Sequence, residues 1–293
     1  MTDIALFGAV EIGLVYALVA LGVYLSFRVL DFPDLTVDGS FPLGAVVAAT
    51  MIVSGGNPWL ASLAAALAGA AAGLVTATLN VRFRILHLLA SILTMIALFS
   101  VNLRVMGRPN VAILMQDTVL TPFYGLGVPD HIVRPLLVLA VVVLVVALLA
   151  WLLSSEFGLA MRASGINPRM ARAQGVDTDR HIYTGMALSN GLCGLAGALF
   201  AQTNGFADVT TGVGTIVVGL AAVIVGETVL PARRLVLALA ACVVGSILYR
   251  LAVQFALSAD AIGLQASDLN LVTAVLVAVA LILPRLRLKG AVR

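Results

Sequence analysis

The sequence predicts an all-α polytopic membrane protein with 8–9 transmembrane helices, and three observations lead to this fold class. Of the 293 residues, 61% are hydrophobic and only 11% are charged, whereas soluble domains carry about 25% charged residues. The apolar residues form continuous runs, and a spanning helix needs about 20 such residues. These runs lack the alternation over short strands that marks a membrane barrel. Composition therefore excludes a soluble enzyme, a nucleic-acid-binding protein and a disordered chain.

The spanning runs occupy the chain 1–293 as one transmembrane domain. Full-length candidates cover approximately 4–27, 58–79, 88–106, 134–154, 182–203, 212–230 and 234–256. Two shorter runs, 41–54 and 269–284, raise the upper count to nine crossings. The sequence leaves open whether 41–54 spans or is re-entrant, and with it the side of the N-terminus. Small residues at Gly69-x3-Gly73 and Gly191-x2-Gly194-x2-Gly197 predict close helix contacts.

The basic residues predict the orientation, because cytoplasmic loops of membrane proteins carry an excess of Lys and Arg. With nine crossings, most of the 17 basic residues fall on one side. They are Arg28, Arg82, Arg84, Arg162, Arg169, Arg172, Arg180, Arg233, Arg234, Arg285, Arg287, Lys289 and Arg293. The 155–181 loop and the C-terminus are therefore predicted to be cytoplasmic.

A short motif occurs twice in the chain. Residues 32–36 read Phe-Pro-Asp-Leu-Thr and residues 206–210 read Phe-Ala-Asp-Val-Thr, and each copy leads through a Gly-containing stretch into an apolar segment. If five crossings separate the copies, they form an inverted repeat of the kind found in transporters. If 41–54 is re-entrant, the repeat is parallel, and a chance match is the third interpretation.

The first copy lies in a polar run, Asp31–Ser40, that contains three carboxylates. One interpretation is a solvated cytoplasmic turn, in which Pro33 and Gly39 break the helix. The other is a broken helix beside the translocation path, since irregular backbone at membrane depth is tolerated only where it lines a cavity or is buried in protein. Under the second interpretation, the residues expected to stabilise or gate the path are Phe32, Asp34, Thr36, Asp38, Phe206, Asp208 and Thr210, with the two Phe rings packed beneath the polar groups.

The 155–181 loop contains the signals of a short, well-capped helix. Asn167 suits the N-cap, Pro168 the first helical position and Gly175 the left-handed C-terminal cap. Arg169 and Arg172 are expected on its surface, with Met170 and Ala171 available for packing. The helix fits an ordinary positively charged loop, and it also fits an element that docks into a groove on a soluble partner.

The same loop carries a family resemblance. The spacing Gly158-x3-Arg162-Ala163-x-Gly165-x-Asn167-x3-Ala171-x3-Gly175-Val176-Asp177-x2-Arg180 resembles the coupling loop of ABC-importer permeases of the branched-chain amino acid and ribose type. The similarity extends upstream to Tyr16-Ala17-Leu18-x2-Leu21-Gly22-Val23 and downstream to Gly219-x-Ala221-Ala222-Val223-Ile224-x-Gly226. Branched-chain permeases carry an Asn-Phe-Ala-His-Gly-like stretch after the first span, where this chain has Asp31–Phe41. In that stretch the chain resembles a sister branch of uncharacterised or aromatic amino acid permeases.

The resemblance implies a multi-pass subunit of a cell (inner) membrane importer for a small organic solute such as an amino acid. A second permease chain, expected as a homodimer, would complete the path, and an extracytoplasmic substrate-binding protein would deliver cargo. Cytoplasmic ABC ATPase subunits would bind ATP and Mg, because this chain has no Gly-x4-Gly-Lys-Ser/Thr loop and is expected to be neither an enzyme nor a cofactor-binding protein. The residues expected to couple to the ATPase are Gly158, Arg162, Gly165, Asn167, Pro168, Arg169, Ala171 and Gly175, with the three glycines acting as hinges or caps.

The main alternative is a secondary transporter driven by an ion gradient, which also fits an inverted repeat. Such transporters need ionisable groups deep in the bundle, and the predicted spans hold Glu11 and little else that titrates. A membrane-embedded enzyme and a channel gain no specific support. His87, His131 and His181 are scattered near span ends, so no metal site is predicted.

Overall fold

A computed structural model of the protein describes residues 3–124, 129–231 and 234–258, together with positions 275 and 278. Within these ranges the chain is almost entirely helical. The α-helices are α1 (Asp3–Val23), α2 (Val37–Val53), α3 (Pro58–Val81), α4 (His87–Met106), α5 (Asp130–Ser154), α6 (Glu156–Ile166), α7 (Pro168–Ala173), α8 (Thr178–Asn204), α9 (Thr215–Val229) and α10 (Leu235–Ser258). The other elements are a π-helical turn (Tyr24–Val29) that continues α1, short 3-10 turns at Thr121–Phe123 and Val209–Gly212, and strands β1 (Asn110–Ala112) and β2 (Phe206–Asp208).

Seven helical segments of the described residues are long and apolar enough to cross a membrane. They coincide with the seven full-length runs predicted from the sequence, so the polytopic all-α class is confirmed. The short run 41–54 lies in α2, which has 17 residues. The run 269–284, the tail arginines and lysine, and Arg233 lie outside the described residues.

Helices α1 and α8 lie side by side and run in opposite directions. Near the end of α8, Phe200 packs edge-on against Tyr16 with ring centroids 6.4 Å apart. Closer to the start of α8, Ser189 Oγ donates a hydrogen bond to the Gly22 carbonyl. Because the first copy of the repeated motif follows α1 and the second follows α8, the two copies point to opposite ends of the bundle. The repeat is therefore inverted.

The contacts of α3 settle the path of α2. The start of α3 lies beside the end of α8, where Gln202 Nε2 donates to Ser62 Oγ at 2.8 Å. The other end of α3 lies beside the residue that precedes α2, where the hydroxyl oxygens of Thr36 and Thr76 are 2.7 Å apart. Since α2 ends at Val53 and α3 begins at Pro58, α2 runs back along α3 for most of its length. It is a crossing element and not a re-entrant loop.

The two ends of the bundle carry different elements. The α7 face is the end that carries α6, α7 and the 82–86 turn between α3 and α4. The ribbon face is the opposite end, which carries β1 and β2. These strands pair antiparallel with Asn110 opposite Asp208 and Ala112 opposite Phe206.

Small residues bring the backbones of α2 and α8 into contact. A Cβ atom added to Gly44 would lie 1.9 Å from the Gly194 carbonyl oxygen, and one added to Gly197 would lie 1.9 Å from the Phe41 oxygen. On the other side of α8, a Cβ on Gly69 would lie 2.3 Å from the Asn190 oxygen. Both predicted small-residue motifs thus contribute to close helix packing, which in a bilayer supplies much of the association energy.

Helix α6 and the two ribbon strands were not predicted. Helix α6 occupies 156–166, which the sequence indicates only as loop; it is N-capped by Ser155, whose Oγ accepts the Gly158 N–H. Its 11 residues are too few for a spanning run. The ribbon strands have three residues each, too short to give an alternation pattern. Helix α6 has a local N-cap, whereas the ribbon strands depend on pairing between segments distant in the sequence.

We expect Gly44→Ala to destabilise the protein because its Cβ has no space between α2 and α8. Overpacking of this kind costs about 1–3 kcal/mol or more, so the melting temperature in detergent should fall by several degrees. Gly8→Ala is the matched control, since nothing lies within 4 Å of a Cβ at that helical position. Equal melting temperatures for the two variants would contradict the α2–α8 contact.

Candidate functional site

Helix α7 is closed by a cap at each end. Asn167 has extended backbone angles, and its Oδ1 accepts the Met170 N–H at 3.0 Å while Pro168 begins the helix. At the other end, Gly175 is left-handed with φ +83°. The Val176 N–H donates to the Ala171 oxygen and the Gly175 N–H to the Arg172 oxygen, each at 3.0 Å. This pair of bonds is the Schellman motif, so the predicted helix is present with the predicted caps.

The side chains of α7 divide between the bundle and its surroundings. Ala171 is only 4% exposed and packs against the chain's own fold, whereas Met170 is 63% exposed. Arg169 is also exposed. Of the two residues expected to be available for packing, only Met170 therefore has an exposed side chain.

An apolar patch surrounds a cleft beside α7. The cleft has a volume of about 1050 Å³ and lies between the segments 30–33, 80–88 and 164–168. Leu86 and Ile166 line it, and Phe83 and Met170 lie within two residues of lining positions; all four are largely exposed. Exposed apolar groups of this kind are candidates for an interaction surface.

Two strained residues line the same cleft. Asp31 and Arg84 adopt the left-handed conformation, with φ of 53° and 56°. For residues other than glycine this costs roughly 1–2 kcal/mol, and such strain concentrates at functional sites. The floor is formed by Phe32, whose ring stacks on His87 with centroids 4.3 Å apart.

Gly158 and Gly165 were expected to act as hinges or caps, and this expectation is wrong. Both lie inside helix α6. A Cβ on Gly158 would lie 2.3 Å from the Leu152 oxygen, and one on Gly165 would lie 2.0 Å from the Val29 oxygen. They seat α6 against α5 and against the π-helical turn, because only glycine leaves room for the neighbouring backbone. Of the three glycines, only Gly175 forms a cap.

Asp34 lies in a hydrogen-bonded cluster within the bundle. It is fully buried, and its Oδ1 accepts the Thr36 N–H at 2.9 Å while its Oδ2 accepts Asn190 Nδ2 at 2.7 Å. Asn190 is held in turn by Ser40, whose Oγ donates to its Oδ1 at 2.7 Å. The solvated-turn interpretation therefore fails for Asp34, although Asp31 three residues earlier is exposed.

Asp38, which follows the first copy of the repeat, binds the segment that follows the second copy. Its carboxylate accepts the Gly214 N–H at 3.2 Å and the Ile216 N–H at 2.7 Å, at the start of α9. The Gly214 N-cap has no side chain to perform this task. A carboxylate is favourable at a helix N-terminus because it satisfies free amides and complements the helix dipole.

The second copy repeats the turn of the first. Asp208 Oδ1 accepts the Thr210 N–H at 2.7 Å, as Asp34 does for Thr36, and Asn110 Nδ2 donates to its Oδ2. Burial alone would raise the pKa of Asp208, but the bonds from Thr210 and Asn110 together lower it below its ordinary value. The phenylalanines differ: Phe32 is 1% exposed and stacks on His87, whereas Phe206 is 37% exposed at the ribbon face. Contact of either copy with cargo stays a prediction.

Sequence reasoning missed a contact between charges at the α7 face. Arg28, at the end of the π-helical turn, pairs with Glu227 near the end of α9. The partners are 199 residues apart, so no local pattern connects them.

Comparisons with known proteins agree with this architecture. The profile of the family described as branched-chain amino acid transport system / permease component matches residues 5–289. The tyrosine transport system permease protein of Clostridioides difficile (strain R20291) is 36% identical over 264 residues, 90% of this chain and 86% of that protein. The guanosine ABC transporter permease protein NupQ of Bacillus subtilis (strain 168) is 28% identical over 162 residues, 50% of this chain and 49% of that protein. PsaBC from Streptococcus pneumoniae in complex with Fab aligns with a TM-score of 0.52 at 15% identity, covering 96% of this chain and 91% of that chain, and supports the fold alone.

We expect Asn190→Leu to destabilise the fold strongly, because it strips the Asp34 carboxylate of a buried donor. Leaving a buried charge without its partner costs about 3–5 kcal/mol, so the variant should be recovered in low yield and melt at a lower temperature. Asn204→Leu, at the exposed end of the same helix, is the matched control. If both variants melt like the unaltered protein, the Asp34 cluster does not hold the broken segment.

Proposed function

The chain belongs to the branched-chain amino acid transport system / permease component family, and we propose that it forms the translocation path of an ATP-driven importer. As a permease subunit of an ABC transporter, it is a transport component and not an enzyme. In the proposed assembly, separate ATPase subunits supply the energy and a substrate-binding protein delivers the cargo. A second permease chain, as a homodimer, completes the path through the inner membrane.

One observation supports ATPase docking above the others. Helix α7 is held rigid by a cap at each end, and the side chain of its outward residue Met170 is 63% exposed. The Arg169 side chain beside it is exposed as well, and the apolar patch of Phe83, Leu86 and Ile166 continues the surface. A rigid apolar and basic projection suits a groove on a soluble ATPase.

The α7 face also supports an orientation of the chain in the membrane. Arg82, Arg84 and Arg169 are exposed there, and a concentration of basic residues favours the cytoplasmic side. The ribbon face is then extracytoplasmic and receives the substrate-binding protein. A cytoplasmic C-terminus is part of this proposal.

The broken segments are the proposed control elements of the path. Helices α2 and α9 both begin inside the bundle after a copy of the repeated motif, and Asp38 connects them. Irregular backbone at that depth is found where substrates pass. Asp34, Thr36 and Phe32 shape the first segment, and Asp208, Thr210 and Phe206 shape the second.

The proposed cargo is an amino acid, which the tyrosine transport relative supports. A nucleoside is the alternative, favoured by the guanosine relative. A thermal-shift screen of the cognate binding protein with amino acids, nucleosides and sugars separates them. Stabilisation by an aromatic amino acid is expected, and stabilisation by nucleosides alone would overturn the assignment.

Ion coupling is the competing function, and one observation favours it. Asp34 and Asp38 lie inside the bundle, where buried carboxylates can carry protons or sodium. Their oxygens, however, already accept hydrogen bonds from backbone amides and from Asn190. This arrangement is expected for carboxylates with a structural role. Uptake that needs ATP hydrolysis by a bound subunit, and persists without an ion gradient, distinguishes the two.

We expect Met170→Asp to weaken ATPase binding, because it places a charge in the apolar contact. The fraction of ATPase co-purifying with the permease in detergent should fall by about tenfold or more, as for loss of a hot-spot residue. Met115→Asp is the matched control, since Met115 is fully exposed at the ribbon face. Normal ATPase recovery with Met170→Asp, in a folded permease, would contradict docking through α7.

A further inference from the structure

Helix α9 is held at both ends by residues that flank the first broken segment. After that segment, Asp38 binds the Gly214 and Ile216 amides at the start of α9. Before it, Arg28 pairs with Glu227, in the last turn of α9. The position of α9 relative to the broken segment is therefore set by two charged contacts, a partly buried one at the start of α9 and one at the α7 face.

Helix α9 is also packed tightly enough to move as a rigid body. A Cβ on Gly226 would lie 2.0 Å from the Ala241 oxygen of α10, and one on Gly245 of α10 would lie 2.0 Å from the Ala222 oxygen. The two helices therefore have backbone contact on one side. Because the backbones of α9 and α10 are in contact, a displacement at Glu227 is transmitted along α9 to Gly214.

Helix α6 contacts the same end of the first segment. Gly165 seats against the Val29 carbonyl, next to Arg28 in the chain. Arg162 lies three residues before Gly165, so both share one face of α6 and point toward the π-helical turn. Tyr24 in that turn lies within electrostatic range of Arg28, Arg162 and Glu227 alike.

Arg162 is incompletely satisfied in this conformation. Its Nε is buried and has no hydrogen-bond partner in the described part of the chain. Glu227 is engaged instead by Arg28, in a pair whose side chains are 52% and 33% exposed. Exposed ion pairs contribute little net stability, so Glu227 loses little by leaving Arg28. A buried guanidinium nitrogen gains by acquiring an acceptor.

We propose that Glu227 is a positioning residue that exchanges Arg28 for Arg162 during the transport cycle. When the ATPase subunits close, α7 carries α6 toward the end of α9, Glu227 pairs with Arg162, and α9 is released from the first broken segment at the α7 face. This inference rests on the proposed function, because the ATPase is what moves α6 and α7. It adds the path by which that movement reaches Asp38.

The exchange is tested first as a distance. Spin labels at Ala163→Cys and Thr228→Cys, both exposed positions next to the two partners, report the separation of α6 and α9 after the buried Cys193 and Cys242 are replaced by Ala. In the purified complex with its ATPase, trapping ATP should shorten this distance. The shortening should vanish in Glu227→Gln and in Arg162→Gln and remain in Arg82→Gln, an exposed arginine of the same face.

The second readout is the amount of solute transported per ATP hydrolysed. It should fall about fivefold or more in Glu227→Gln, Arg162→Gln and Arg28→Glu/Glu227→Arg, as expected for loss of a coupling interaction. The double exchange restores the resting pair and therefore the melting temperature, but leaves Arg162 facing a like charge. Adding Arg162→Glu should restore coupling, which a purely structural ion pair would not require.

The outcomes separate the two proposals. If the unaltered permease binds no ATPase, the proposed function fails. If the ATPase binds and hydrolyses ATP, and the Glu227 and Arg162 variants behave like Arg82→Gln, only the exchange of partners is wrong. Full coupling in the double exchange would likewise overturn it.

Discussion

The structure depends on one contact between its two inverted halves, the carboxylate of Asp38 on the first amides of α9. Both halves contain a helix that begins within the bundle, and the first amides of α9, which are partly buried, have the Asp38 carboxylate as their acceptor. Charge-assisted hydrogen bonds of this kind contribute roughly 1.5–3 kcal/mol, and an unsatisfied amide in hydrocarbon would cost several kcal/mol. The pairing of the halves follows, because α9 has its cap only when α2 lies beside it.

The polar groups of this chain are few, and several of those described in the bundle lie around the first broken segment. Asp34 is fixed by Asn190 of α8, which aligns the first segment so that Asp38 four residues later meets α9. Arg28 and Glu227 close the other end of α9, beside the helix pair α6–α7. Apolar packing through small residues fills the space between these contacts. A protein with 11% charged residues thus places much of its intramembrane polarity where two helix starts must be joined.

The sequence predicts those features that follow from a regular pattern, such as a hydropathic run, a helix cap or a repeated motif. The seven long spans follow from hydropathy, and the caps of α7 follow from Asn167, Pro168 and Gly175, which lie within nine residues of one another. The repeated motif indicates two related halves, because both copies keep the same aspartate-to-amide turn; whether these halves are inverted depends on the path of α2. The path of α2 was beyond prediction, since 17 residues are compatible with either a crossing or a re-entrant segment.

The other features of the fold and the site depend on tertiary contacts, and no pattern in the sequence identifies the partners. Gly158 and Gly165 were interpreted as hinges because glycine permits both flexibility and close packing, and only the neighbouring Leu152 and Val29 backbones decide between them. The partners of Asp34 and Arg28 are separated from them by 156 and 199 residues. Ala171 matches the family spacing, yet its burial assigns it to the fold and leaves the outward contact to Met170.

The central claim concerns Asp38, and hydrogen exchange at the Gly214 and Ile216 amides tests it most directly. In the unaltered protein both amides should exchange slowly, in Asp38→Ala they should lose most of this protection, and in Asp31→Ala, which removes an exposed carboxylate, they should not change. Rapid exchange in the unaltered protein, or full protection in Asp38→Ala, would contradict the claim that this contact joins the two halves.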